Sequence, residues 1–78
     1  MKNISNNDFQ QCLKLIGANL SKTRKSLGFT QEKFAEMINI DYKYYQRIEL
    51  GDVNITMKTL YKLCESLKID PISLFDKK

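Results

Sequence analysis

Apolar residues recur at helical rather than alternating intervals along most of this chain. Leu13, Ile16, Leu20 and Leu27 fall at intervals of three, four and seven, with Thr23 completing the stripe. That period predicts a first helix from Phe9 or Gln10 to about Ser26. Gly28 ends it, because glycine takes the left-handed backbone at which helices commonly stop. Phe29-Thr30-Gln31-Glu32-Lys33-Phe34 then reads as a helix start, with Thr30 capping free amides and Phe29 closing on Phe34. This second helix runs to about Ile38. Asn39-Ile40-Asp41 makes the next break: Asn tolerates the left-handed region, Asp41 caps a new helix, and Ile40 staples onto Tyr45 inside it. Helix three is therefore Tyr42 to Glu49 or Leu50.

Gly51-Asp52-Val53-Asn54 has turn composition, and Thr56 caps a fourth helix whose apolar face is Leu60, Leu63, Cys64 and Leu67. Pro71, at a first-turn position, opens a short fifth helix through Phe75. The pattern predicts an all-α fold of five helices with short connections: a polar N-terminal tail over 1–8 and one compact domain over 9–78.

Composition narrows the function more than the fold. With 78 residues the chain holds one domain, and chains this short bury only roughly 60% of their unfolded surface, so a partner subunit would help. The start is polar and the apolar runs are short, which predicts neither a membrane span nor a secretion signal and places the chain in the cytoplasm. Cys12 and Cys64 stand far apart without a CxxC pair, and there is no histidine; no metal site is expected, and both thiols read as structural. The missing histidine also removes the usual general base near neutral pH, and no Gly-rich phosphate loop appears, so neither an enzyme, a cofactor nor a small-molecule ligand is expected. Thirteen Lys and Arg against nine Asp and Glu, a net +4, favour a polyanionic partner.

The specific chemistry sits on helices two and three. Two short helices across a three-residue turn make a helix-turn-helix, with Ala35 as the small residue that lets them cross closely. At 100° per residue, Tyr45 and Ile48 share one side of helix three, and Tyr42, Lys43, Gln46 and Arg47 the other. Gln pairs bidentately with adenine, Arg and Lys reach guanine or phosphate, and Tyr bonds phosphate or touches a thymine methyl. On an arbitrary helix such a face is only a solvated one; between two capped starts behind a helix-turn-helix it reads as a surface for double-stranded DNA.

From Leu20 to Phe75 the chain resembles the Cro/repressor, or Xre-type, class of helix-turn-helix domains. The resemblance rests on Arg24, Leu27 to Glu32, Phe34-Ala35, Ile40, Ile48-Glu49, Gly51, Leu60, Leu67, Pro71 and Leu74-Phe75. It implies a lambda-repressor-like fold, with Gln31 on a DNA phosphate and Tyr42, Lys43, Gln46 and Arg47 at base-reading positions. It further implies that Arg24 and Glu49 pair, locking helix one against helix three. Three departures stand out: Asn39 replaces the turn glycine, Tyr45 the small aliphatic of helix three, and Asp52 occupies a loop where basic residues are common. The run Gly51 to Thr56 and the short length resemble controller proteins of restriction-modification systems. The expected function is a homodimeric transcriptional regulator on an inverted repeat, joined through Ile72, Leu74 and Phe75 of helix five. The competing expectation is an antitoxin or other protein-interaction module on the same domain.

Overall fold

The computed structural model describes residues 6–77. Residues 1–5 of the expected tail, and Lys78, lie outside the described residues. Four α-helices follow one another: α1 (Asn6–Ser26), α2 (Gln31–Met37), α3 (Tyr42–Leu50) and α4 (Met57–Leu67), closed by a 3-10 helix, Pro71–Phe75. No strand occurs among the described residues. Helix α1 thus begins three or four residues earlier than its apolar stripe suggested, inside the stretch assigned to the tail. Its other end corrects the stripe itself: Leu27 lies beyond the helix and is half exposed. The fifth helix is also corrected, being a single 3-10 segment rather than an α-helix. Pro71 supplies no amide hydrogen, and five residues give too few α-type bonds to offset nucleation.

Each start after that of α1 forms as its capping residue dictates. Thr30 accepts from the Lys33 amide, Asp41 from Tyr44, Thr56 from Thr59 and Asp70 from Ile72. The ends share a second device. Gly28, Asn39, Gly51 and Lys68 all have positive φ. After each of them, the next residue's amide reaches the carbonyl five positions back: Phe29 to Arg24, Ile40 to Ala35, Asp52 to Arg47 and Ile69 to Cys64. This is the Schellman closure, which normally places an apolar side chain after the left-handed residue. Phe29, Ile40 and Ile69 fit, each packed against the core. Asp52 does not.

The core gathers Ile16, Leu20, Phe34, Ala35, Ile38, Tyr45, Ile48, Leu60, Leu63, Cys64, Leu67 and Leu74. Phe34 stands edge-on to Tyr45 with ring centroids 5.4 Å apart and stacks with Phe29 at 6.0 Å. The long helix α1 is the scaffold for both α3 and the 3-10 segment. Two glycines allow α1 and α3 to touch backbone to backbone. A Cβ on Gly17 would meet the carbonyl oxygens of Glu49 and Ile48, the latter at 2.6 Å; one on Gly51, at φ +73, would meet the Lys14 backbone at 2.6 Å. At the far end Asn19 donates to the carbonyls of Leu74 (2.7 Å) and Asp76 (2.9 Å), tying the chain's last turn to α1.

Candidate nucleic-acid interface

Helix α3 is fixed from behind and open in front. Tyr45 and Ile48 are buried, while Tyr42, Lys43 and Arg47 are exposed and Gln46 is partly so. The four polar residues share the outward face, at the N-terminal end of which the Gln46 amide donates to the Tyr42 hydroxyl at 3.3 Å. Arg47 leans toward the C-terminal end, where its Nε meets the Asp52 carboxylate at 3.3 Å and its Nη2 the Asp52 carbonyl at 3.3 Å. One residue of this face escaped the reading of the sequence. Leu50, seven residues after Lys43 and four after Gln46, continues the outward stripe and is 67% exposed, an apolar group set among polar ones; this helical spacing was the signal for it.

Behind the face, Glu49 ties three elements together. It accepts from Arg24 Nε at 2.7 Å and Nη2 at 3.1 Å, and from Gln31 Nε2 at 2.8 Å. Arg24 Nη1 also donates to the Phe29 carbonyl, so its guanidinium braces the α1–α2 turn. Both charged side chains are about 95% buried, at 6% and 5% exposure. Burial by itself would raise the Glu49 carboxyl, but the hydrogen bonds from Arg24, the Tyr45 hydroxyl lying nearby, and the hydrogen bond from the Gln31 amide hold it below the usual carboxylate range. Hydrogen bonding to Glu49 likewise raises Arg24, against the effect of its own burial. Burial, followed by the neighbouring Glu49 carboxylate, pushes the Tyr45 phenol far upward; its oxygen is buried outside hydrogen-bond geometry. Gln31, expected at a phosphate, is thus half-buried and anchored by one N–H to this network.

The residues expected at a subunit interface are not all together. Ile72 is 76% and Phe75 46% exposed, but Leu74 is 1% exposed. Leu74 is corrected to a core residue, because the tight 3-10 turn points it inward against α1 and α4 while its neighbours point out. Cys12 and Cys64 are free thiols, half-buried and buried respectively. No group of acidic, cysteine or histidine residues able to hold a metal occurs among the described residues.

Comparison with known proteins gives this arrangement its class. A family model described as helix-turn-helix, HTH_3, matches residues 20–74. The chain belongs to that family, of Xre/Cro type. It is 33% identical over 61 residues to an uncharacterized HTH-type transcriptional regulator, y4dJ, of Sinorhizobium fredii, covering 78% of this chain and 79% of that protein. With the control protein C.MunI of a Mycoplasma species it shares 38% identity over 61 residues, 77% of this chain and 82% of the other. The crystal structure of the restriction-modification controller protein C.AhdI from Aeromonas hydrophila superposes with a TM-score of 0.79 at 31% identity, covering 87% of this chain and 99% of that one. The protein is accordingly a non-enzymatic, DNA-binding transcriptional regulator of helix-turn-helix type, related to restriction-modification controllers. No helix among the described residues is long and apolar enough to cross a membrane.

Proposed function

We propose that this protein is a cytoplasmic, sequence-specific regulator that reads the major groove of an inverted-repeat operator as a homodimer. The observation that carries the reading is the outward face of α3, which presents Tyr42, Lys43, Gln46 and Arg47 while Tyr45 and Ile48 fix the opposite face in the core. Gln46 offers an amide for adenine, Lys43 and Arg47 offer donors for guanine or phosphate, and Tyr42 flanks them. Gln31 keeps a second N–H on the nitrogen anchored to Glu49, and that hydrogen suits a phosphate oxygen. Ile72 and Phe75 supply apolar surface for a second subunit.

Selection from a random duplex pool, followed by titration on selected and scrambled duplexes at several salt concentrations, tests this reading. Gln46→Ala should cost about 1 to 3 kcal/mol on the selected site and little on scrambled DNA. Gln31→Ala should weaken both alike. If Tyr42, Lys43, Gln46 and Arg47 all tolerate Ala with an unchanged specificity ratio, α3 is not the reading element.

A further inference from the structure

Of the four Schellman closures, only the one ending α3 places a charged residue after the left-handed position. Phe29, Ile40 and Ile69 turn inward to the core from that position, whereas Asp52 turns to Arg47. Three contacts join the two residues: the Asp52 amide to the Arg47 carbonyl at 2.9 Å, Arg47 Nε to the carboxylate, and Arg47 Nη2 to the Asp52 carbonyl. The backbone bond belongs to the helix cap, so the Asp52 backbone, with the carbonyl that accepts from Arg47 Nη2, is held at the end of the helix that carries Arg47.

A guanidinium has two edges that can donate in pairs. The side edge, Nε with Nη2, faces Asp52. The end edge, Nη1 with the outer hydrogen of Nη2, is the one left over, and among the described residues Nη1 has no hydrogen-bond partner. Two parallel donors at that edge match the O6 and N7 acceptors of guanine in the major groove. An aspartate beside the arginine also discourages a phosphate there, since a second anion would approach the first in a weakly screened groove.

Resting on the reading of α3 as the recognition helix, we propose that Asp52 is the positioning residue of that site. It holds the side edge of Arg47 so that the end edge meets a guanine, and it withholds Arg47 from the phosphate backbone. The acidic loop residue that sets this chain apart from a basic one therefore sharpens specificity at the expense of general affinity.

The test uses the duplex selected by the wild-type protein. Each guanine of a half-site is replaced in turn by 7-deazaguanine, which lacks the N7 acceptor, and affinity is measured for wild type, Arg47→Ala, Asp52→Ala and the double variant. One guanine should cost the wild type roughly ten-fold on replacement and cost Arg47→Ala nothing. In Asp52→Ala, whose retained helical circular dichroism and melt verify the fold, that penalty should fall below about two-fold. Affinity for scrambled duplex should rise, and the salt slope should steepen by about one unit as Arg47 turns to a phosphate. The double variant should match Arg47→Ala in guanine sensitivity. An undiminished guanine penalty in Asp52→Ala overturns the proposal, as does the absence of any guanine whose effect depends on Arg47. If the wild type prefers no duplex over scrambled DNA, the reading of α3 has failed instead, and the two failures are thereby told apart.

Discussion

Glu49 gathers donors from α1, α2 and its own network, and its environment makes a single substitution there costly. Removing the carboxylate leaves the Arg24 guanidinium buried without its counter-charge, and removing Arg24 does the same to Glu49. Either Glu49→Ala or Arg24→Ala should destabilise the fold by about 3 to 5 kcal/mol, the range for breaking a buried pair rather than a surface one. A thermal melt within about a degree of wild type would contradict this. The acid limb carries the same information. A carboxyl held below its usual range in the folded state contributes stability that is complete above the unfolded value, near pH 4 to 5. That stability drains away as pH falls toward the folded value. Urea midpoints between pH 6 and 3 should therefore fall more steeply for wild type than for Glu49→Gln, which starts lower and has no carboxyl to protonate. Arg24 shifts upward from an already high value, so the pair adds no pH dependence near neutrality.

At the scale of elements, the crossing of α1 and α3 sets where the recognition face points. Gly17 has no side chain because the Ile48 and Glu49 carbonyls occupy the space a Cβ would need. These are backbone atoms of a helix and cannot move aside as a side-chain tip can. Gly17→Ala should force the helices apart at a cost of about 1 to 3 kcal/mol, although alanine is the better helix former by roughly 1 kcal/mol. Packing and propensity thus predict opposite signs, and chemical denaturation decides between them; a stabilised Gly17→Ala would mean that the two helices are not so closely packed in solution. Read as sequence, Gly17 sits silently inside a helical stretch, because the constraint comes from residues more than thirty positions away. The caps behave differently: Thr30, Asp41 and Thr56 each bond an amide three residues on. Such short-range bonds are visible in the order of residues alone.

For the whole molecule, the question is how a small core is completed. Ile72 and Phe75 flank a buried Leu74, so neighbouring positions of one five-residue turn have different duties. If the proposed homodimer is joined through this surface, Phe75→Glu should leave a folded chain that no longer dimerises, whereas Leu74→Glu should unfold it, since a buried charge without a partner costs several kcal/mol. Sedimentation equilibrium paired with circular dichroism separates the cases. A Phe75→Glu chain that dimerises as wild type does would remove this surface from the interface, and a folded Leu74→Glu chain would contradict its place in the core.

The order of amino acids determined the helical elements, the capped starts of α2, α3 and α4, and the faces of α3 and α4, because these depend on period and on bonds spanning three or four residues. It also marked Asn39 and Gly51 as turn positions, but not Lys68, whose side chain gives no sign of the left-handed backbone it adopts. The apolar stripe did not mark the start of α1, because residues 7–10 of that helix are exposed, and the fifth helix is a 3-10 turn because it is short and opens on Pro71. The Asp52–Arg47 pair, five residues apart, is local and follows from the cap that ends α3. Only the tertiary structure turned Leu74 inward and joined Gln31 to Glu49. Both depend on where one element meets another, and that distance is fixed in space rather than along the chain.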